Sequence, residues 1–410
     1  MFLPQLFFSG ILLILVNADE LQFVNLIYRH GDRSPMHTYP NSRYKEDFWE
    51  QGFGQLTQTG MRQQYKLGQF LRQKYNGFLS KDYSRYQLKV VSTDVDRTLM
   101  SAECTLAGLY PPDHRQTWNN SILWQPIPVH TGSIYSHYVP NVTVCPYYHL
   151  LYKNILKGDW LKKMDIENAE FLKNISRNAG YGHSLNMSDV YSLVDPIKVE
   201  RFHNHTQPGW ITDDVYSKLV TLCDAFLTYI YKQHGIQRLI GGSLLEKLVS
   251  NMDHKIISTL PLEKQRRMDM YSMHDTTIVA LMSALGLYNG VAPSYGACVG
   301  VELWKESRNE TYYVNLWYKN DTNADPYVLE IPGCNHTLCP YARFKSLIAD
   351  VLPGDLDAAC RLPFYMNEYV IAFVSGAVFL MLLVLAVLFC RSEVKQRHKR
   401  YLIDKHGETL

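Results

Sequence analysis

Three times in this chain an apolar run of strand-like composition stops at a knot of polar and charged residues, and a helical pattern follows. Leu21–Tyr28 (LQFVNLIY) ends at Arg29-His30-Gly31-Asp32-Arg33-Ser34-Pro35. Leu88–Ser92 (LKVVS) ends at Thr93-Asp94-Val95-Asp96-Arg97, and Arg267–Met273 (RMDMYSM) at His274-Asp275-Thr276-Thr277. Helical spacing is read from about Thr57 to Tyr75, with Met61, Tyr65, Leu67, Leu71 and Tyr75 on one broad side. It recurs through Leu99, Ala102, Leu106 and Leu109, and again through Ile278, Leu281, Met282 and Leu285. Thr93 or Asp94, and Asp275 or Thr276, are candidate caps for the second and third helices. Such repetition predicts an open α/β sheet. There the breaks at the carboxyl ends of strands gather in one crevice, and helix N-termini turn amides and dipole toward an anion.

The first break carries the most chemistry. Two arginines flanking a histidine crowd positive charge unless an anion sits among them, and arginine's planar fork suits phosphate oxygens. Arg97 lies at a helix's positive end, where it reads equally as an anion ligand or as a surface arginine paired with Asp94 or Asp96. Arg72 falls on the inward face of its helix and needs an anionic partner; the pattern alone favours a structural carboxylate over a phosphate. A lone His-Asp before a helix is more often a cap with a hydrogen-bonded histidine. Brought to one crevice, however, these residues form a cationic pocket with one carboxyl group. That set fits phosphoryl transfer to His30: Arg29, Arg33, Arg97 and His274 hold the phosphate oxygens, and Asp275 protonates the leaving alcohol. Because the arginines do the neutralising, neither metal nor cofactor is expected. The positive pocket pushes Asp275 down, so acidic surroundings are the simpler way to keep it a proton donor.

The remaining features set the compartment. Phe2–Val16 is apolar and small residues precede a cut after Ala18, as in a secretory signal peptide over residues 1–18. Val370–Cys390 is an unbroken apolar run bounded by Glu368 and Arg391, long enough to cross a bilayer. Arg391, Lys395, Arg397, Lys399 and Arg400 follow it, placing the tail, 391–410, in the cytosol and the domain, 19–369, in the lumen or outside the cell. Eight sequons agree with a secretory route: Asn119, Asn141, Asn174, Asn186, Asn204, Asn309, Asn320 and Asn335. Of the eight cysteines, all but Cys390 precede the span, so disulfides are expected with at least one thiol left over. The net charge of +2, with no basic stripe interleaved with aromatics, argues against a nucleic-acid partner. From about 131 to 235 the pattern loosens into short amphipathic stretches, read as a helical cap insertion. His183, His203 and His205 fall there without metal spacing and are read as loop or surface residues.

These motifs carry a resemblance. The chain resembles the histidine acid phosphatases, in their lysosomal/prostatic branch, through RHGDRSP at Arg29–Pro35, GFGQLTQTG at Gly52–Gly60 and STDVDRTLMSA at Ser92–Ala102. WQPIPVHT at Trp124–Thr131, MYSMHDTT at Met270–Thr277 and IPGC at Ile331–Cys334 extend it over about Leu21–Cys360. The signal, span and basic tail look most like the membrane-anchored lysosomal form. The resemblance implies a phosphoglycerate-mutase-like three-layer α/β core with a helical cap, a homodimer, and activity on phosphate monoesters without a metal. It implies His30 as nucleophile, Asp275 as proton donor and Arg29, Arg33, Arg97 and His274 as phosphate ligands. It also reverses the reading of Arg72, bringing it toward the phosphate. Cys145–Cys360 and Cys334–Cys339 are the bridges it implies. Where relatives place a partner for Cys298 this chain has none near Val199, leaving Cys298 free or paired with Cys223 or Cys104. Met273 replaces the family's usual alanine, with a reshaped pocket floor as the expected result. Tyr401-Leu402-Ile403-Asp404 begins like a tyrosine sorting signal but ends in Asp, so both the lysosomal membrane and the cell surface are open. Two other readings use the same scaffold: a phosphatase restricted to lysophospholipids, nucleotides or inositol phosphates, and a catalytically inactive membrane receptor. The intact residue set speaks against the second.

Overall fold

The computed structural model describes residues 19–131, 145–307, 310–334, 336–363 and 368–407. The expected signal peptide and the sequons at Asn141, Asn309 and Asn335 lie outside the described residues. The remainder falls into two units, one ending at Ala359 and one beginning at Cys360.

The first unit is built on an eight-stranded mixed sheet. Strands β1 (Glu20–Arg29), β2 (Leu88–Ser92), β3 (His130–Thr131) and β4 (Met268–Met273) run parallel in the order β3-β2-β4-β1. β5 (Cys298–Lys305) then pairs antiparallel with β1, and β6 (Tyr312–Lys319) antiparallel with β5. β7 (Tyr327–Leu329) and β8 (Leu338–Pro340) pair with successive parts of the other edge of β6. All three strands expected from the sequence to precede a polar break are present and adjacent.

Both faces of the sheet are covered, which is why these strands read as continuous apolar runs rather than clean alternations. Along β1, Val24, Leu26 and Tyr28 pack toward α1 (Gln58–Lys74) and α2 (Asp96–Leu109). Phe23 and Ile27 pack on the other face. The insertion supplies α3 (Pro146–Ile155), α4 (Asp159–Glu167), α5 (Ala169–Ala179), α6 (Met187–Phe202) and α7 (Asp213–Tyr231). These helices share a separate apolar cluster that includes Leu172, Ile197, Leu222 and Phe226. The short α8 (His234–Ile236) runs through a π-helical stretch into α9 (Ser243–Ile256). α9, α10 (Asp275–Ala284) and α11 (Tyr341–Ile348) cover the second face of the sheet, and α12 (Leu356–Ala359) closes the unit.

Three local expectations need correction. The buried side of α1 is Gly60, Gln64, Leu67, Gly68 and Leu71, while Tyr65 is exposed. Small residues decide that face: a Cβ on Gly68 would lie 2.0 Å from the Thr105 carbonyl, so α1 and α2 cross backbone to backbone. The N-cap residues of α2 and α10 are Val95 and His274, neither with a capping side chain, rather than the hydroxyl and carboxyl residues expected. Met273 is fully buried in the core beneath α9 and α10 and does not floor the crevice.

Cys334 and Cys339 are bonded, and Cys104, Cys223 and Cys298 are free thiols, which resolves Cys298 as unpaired. In the second unit, α13 (Glu368–Gly407) contains one stretch, Ala372–Arg400, whose most apolar 18-residue window has a mean hydropathy of 2.8, long and apolar enough to cross a membrane.

Candidate active site

The segment 30–35 leaves β1 and is pinned at every turn. His30 N–H donates to the Met273 carbonyl at 3.0 Å, Gly31 N–H to Ser101 Oγ at 3.1 Å and Asp32 N–H to Gln63 Oε1 at 2.8 Å. Thr57, the N-cap of α1, accepts from Gly60 N–H and donates to Asp32 Oδ2 at 2.5 Å. Gly31 and Gly60 touch: a Cβ on Gly31 would meet the Gly60 carbonyl at 2.4 Å, and one on Gly60 would meet the Asp32 carbonyl at 2.1 Å. No residue with a side chain fits either position, so the loop is fixed before any ligand arrives.

His30 is 2% exposed. Its Nδ1 faces the Gly31 carbonyl at 2.8 Å, so Nδ1 carries the proton and the Nε2 lone pair is left for chemistry. Burial, then the charges of Arg29, Arg33 and Arg97, hold its imidazole well below the ordinary histidine range. A neutral histidine among three guanidinium groups keeps its ring lone pair free in acid.

His274 lies between β4 and α10 and packs edge-on to His30, with ring centroids 5.6 Å apart. Its Nδ1 is 3.5 Å from Arg97 Nη2 and its Nε2 is 3.0 Å from Thr93 Oγ1. Arginine donates only, so Nδ1 is the acceptor and Nε2–H donates to Thr93. Burial, then Arg97, push the His274 imidazole down to about 4, with Asp275 working against them. Burial alone would raise the Asp275 carboxyl, but Arg29 and Arg33 outweigh it and hold the group below the ordinary carboxylate range. Its Oδ2 is 2.9 Å from Arg29 Nη2, and Arg29 Nη1 donates to the Pro293 carbonyl at 2.7 Å.

Arg97 sits in the first turn of α2 and faces the crevice. Burial, then Arg33, lower its guanidinium to about 10. Neither Asp94 nor Asp96 takes it; Asp96 Oδ2 accepts from Gln55 instead. Arg72 is not in the crevice. Its guanidinium donates to the Ser80 and Leu79 carbonyls at 2.8 and 2.9 Å, stacked toward Tyr110. Fourteen residues along α1 from its first turn, it lies roughly 20 Å up the helix axis. Its partners are carbonyls, neither the carboxylate nor the phosphate expected.

Several residues of the site escaped the sequence reading. Asp195 of α6 takes both terminal nitrogens of Arg33, at 2.7 and 3.2 Å, and accepts from Met36 N–H at 2.8 Å. His203, read as a loop or surface residue, follows α6 directly and places Nε2 2.8 Å from Asp32 Oδ2. Tyr295 stacks on Arg29, whose guanidinium carbon is 4.2 Å from the ring centroid. Nothing in local periodicity marks these, because each belongs to a segment far from the motif it contacts. A cavity of about 740 Å³ opens from Arg29 and Asp275 between Tyr191, Val194, Phe202 and Tyr216 of the insertion. Among the described residues no group of three or more histidine, cysteine or acidic side chains is arranged to hold a metal.

The model of the histidine phosphatase superfamily (branch 2) matches residues 20–319. Prostatic acid phosphatase of Bos taurus is 41% identical over 354 residues, covering 85% of this chain and 89% of that protein. Lysosomal acid phosphatase of Xenopus laevis is 38% identical over 418 aligned residues, covering 98% of this chain and 95% of that one. Among solved structures, Hafnia alvei phytase in complex with tartrate superposes with a TM-score of 0.62 at 17% identity, covering 84% of this chain and 99% of that one. At that identity the superposition speaks to the fold alone.

Proposed function

The chain belongs to the histidine phosphatase superfamily, branch 2, and from that membership we propose how it works as an acid phosphatase on phosphate monoesters. His30 Nε2 attacks phosphorus, forming the N–P bond as the ester P–O bond breaks. Asp275 gives its proton to the departing alcohol. Water then attacks the phosphohistidine, its proton returning to Asp275, and inorganic phosphate leaves with His30 restored. Arg29, Arg33 and Arg97 hold the phosphoryl oxygens as charge develops, and His274 joins them by turning its N–H from Thr93 to the phosphate. The observation that carries the reading is the neutral, tautomer-fixed His30 at the centre of three arginines.

Arg29 serves two partners in this scheme. A phosphate oxygen that draws its guanidinium from Asp275 removes the charge that keeps the carboxyl ionised, so substrate binding itself favours protonation of the acid.

On the same footing, residues 19–369 are the catalytic domain, 131–235 its cap, and the protein is single-pass type I with the active site facing a lumen. The basic residues after Cys390 support that orientation, and the lysosomal relatives support a lysosomal membrane. A homodimer is supported by the sheet edge at β3 and, in the segment of chain that leads to it, by the exposed side chains of Trp118, Leu123 (83%) and Trp124.

The full chain in detergent is tested on p-nitrophenyl phosphate from pH 3 to 9 with EDTA present. Turnover that peaks in acid and vanishes in His30→Ala is expected. Turnover that survives in His30→Ala, or is lost to EDTA, overturns the reading.

A further inference from the structure

The peptide unit that fixes the His30 tautomer is shared with Asp32. Its carbonyl, on Gly31, faces His30 Nδ1 at 2.8 Å, and its N–H, on Asp32, donates to Gln63 Oε1 at 2.8 Å. Rotation of that unit carries the acceptor away from Nδ1, and with it the reason why Nε2 is the free nitrogen. Where the Asp32 side chain is anchored therefore bears on the nucleophile.

Asp32 is fully buried. Its Oδ2 accepts from Thr57, the N-cap of α1, while its Oδ1 meets no donor among the described residues. A carboxylate without water needs a basic partner. Two arginines of the loop are taken elsewhere, Arg29 by Asp275 and Arg33 by Asp195. Among the described residues His203, with Nε2 2.8 Å from Oδ2, is the one basic group within ion-pair distance of Asp32. The contact is a pairing by distance rather than an aligned hydrogen bond.

The His203 ring is itself held. Trp49 and Phe202 meet it edge-on, each with centroids 5.5 Å away, and His205 stacks beside it at 5.8 Å. His203 follows α6 directly, and Asp195 within that helix holds Arg33. One helix of the insertion thus reaches two consecutive residues of the nucleophile loop.

We propose that His203 is a positioning residue for the phosphatase reaction. It anchors Asp32, Asp32 orients the Gly31 carbonyl, and that carbonyl keeps the His30 proton on Nδ1 with Nε2 free to attack. The inserted helices then take part in aiming the nucleophile as well as in walling the cavity. The inference rests on the phosphatase reading of the site.

Two variants of the full chain in detergent test it on p-nitrophenyl phosphate: His203→Phe, which keeps a ring against Trp49 and Phe202, and His203→Gln, which keeps an N–H donor for the carboxylate. In His203→Phe, kcat should fall on the order of 10–100-fold while the inhibition constant of inorganic phosphate stays within about threefold of the wild type. His203→Gln should lose less. In the Asp32→Asn background either replacement should change kcat by less than about twofold, since the carboxylate it acts through is gone. Hydrogen exchange across residues 30–34 should quicken in His203→Phe. Should that variant not fold, His203→Gln is carried through the same two backgrounds. Unchanged kcat in both variants overturns the proposal, as does a loss of equal size with and without the Asp32 carboxylate. An equal loss of phosphate affinity also overturns it, since that marks a general loosening of the site. A wild-type protein without turnover overturns the phosphatase reading instead; exchange across 30–34 then still decides whether His203 anchors the loop.

Discussion

Asp195 Oδ1 lies 2.7 Å from Arg33 Nη2, so a carboxylate from the helical insertion grips an arginine of the nucleophile loop. Burial works against the Arg33 charge, but Tyr295 and then Asp195 outweigh it and raise its already high pKa. An incoming phosphate must share or displace this partner. In Asp195→Asn, which keeps one acceptor oxygen, inorganic phosphate should inhibit several-fold more tightly because a negative charge has left the pocket. An unchanged inhibition constant would show that Asp195 only orients Arg33.

The Arg29–Asp275 pair leads to a leaving-group test. Asp275→Asn removes the proton donor while keeping a polar group beside Arg29. Hydrolysis of alkyl phosphates should fall on the order of 10²–10⁴-fold, and that of p-nitrophenyl phosphate far less, since nitrophenolate leaves unaided. Equal losses for both substrates would remove Asp275 from the proton-transfer step.

Acid should weaken the fold through the same histidines that serve the chemistry. His274 titrates near 4 when folded and near 6.5 when unfolded. Between those values only the unfolded chain binds the proton, so stability rises with pH across that window and is lost as pH falls through it. The difference corresponds to roughly 3 kcal/mol. His30 acts in the same direction, and the depressed Asp275 carboxyl withdraws its contribution at still lower pH. Melting temperatures at pH 6.5 and 4 should therefore converge in His274→Asn relative to the wild type. An identical acid shift in both proteins would contradict the assignment.

Gly60→Ala tests the contact between α1 and the nucleophile loop. With the Asp32 carbonyl 2.1 Å from the new Cβ, backbone must move. A stability loss of about 1–3 kcal/mol is expected, together with a fall in kcat, since the displaced segment carries His30 and Arg33. Normal turnover would mean that the loop relaxes without disturbing the nucleophile.

Arg72→Ala separates the structure from the resemblance. Its guanidinium serves the Leu79 and Ser80 carbonyls, so stability should drop by about 1–3 kcal/mol with kcat/KM unchanged. A large rise in KM would return Arg72 to the phosphate.

The three strand breaks were legible because each is local: an apolar run, a polar stop and a helical repeat sit next to one another in sequence. His30, Arg29, Arg33, Arg97, His274 and Asp275 meet because parallel neighbours β2, β4 and β1 end at one level. Arg72 misled because an inward position on a helical wheel tells which face a residue shares, not how far along the axis it lies. Asp195 and His203 were hidden for the opposite reason. Each contacts the nucleophile loop from more than 150 residues away, and the short amphipathic stretches of the insertion do not tell which loop they meet. The caps were misplaced because the N-cap positions of α2 and α10 fall on Val95 and His274, which make no capping hydrogen bond, while Asp275 Oδ1 accepts from Thr276 N–H one residue inside α10.

Division of labour between sheet and insertion has a consequence for divergence. In the proposed scheme loops at the strand ends hold the phosphoryl group, whereas Tyr191, Val194, Phe202 and Tyr216 from the inserted helices wall the cavity that opens from Arg29 and Asp275. Altering those walls changes which esters are accepted while the reacting atoms keep their places. Selectivity and chemical competence can thus drift separately, and a descendant of this scaffold can acquire a new diet without relearning how to break a P–O bond.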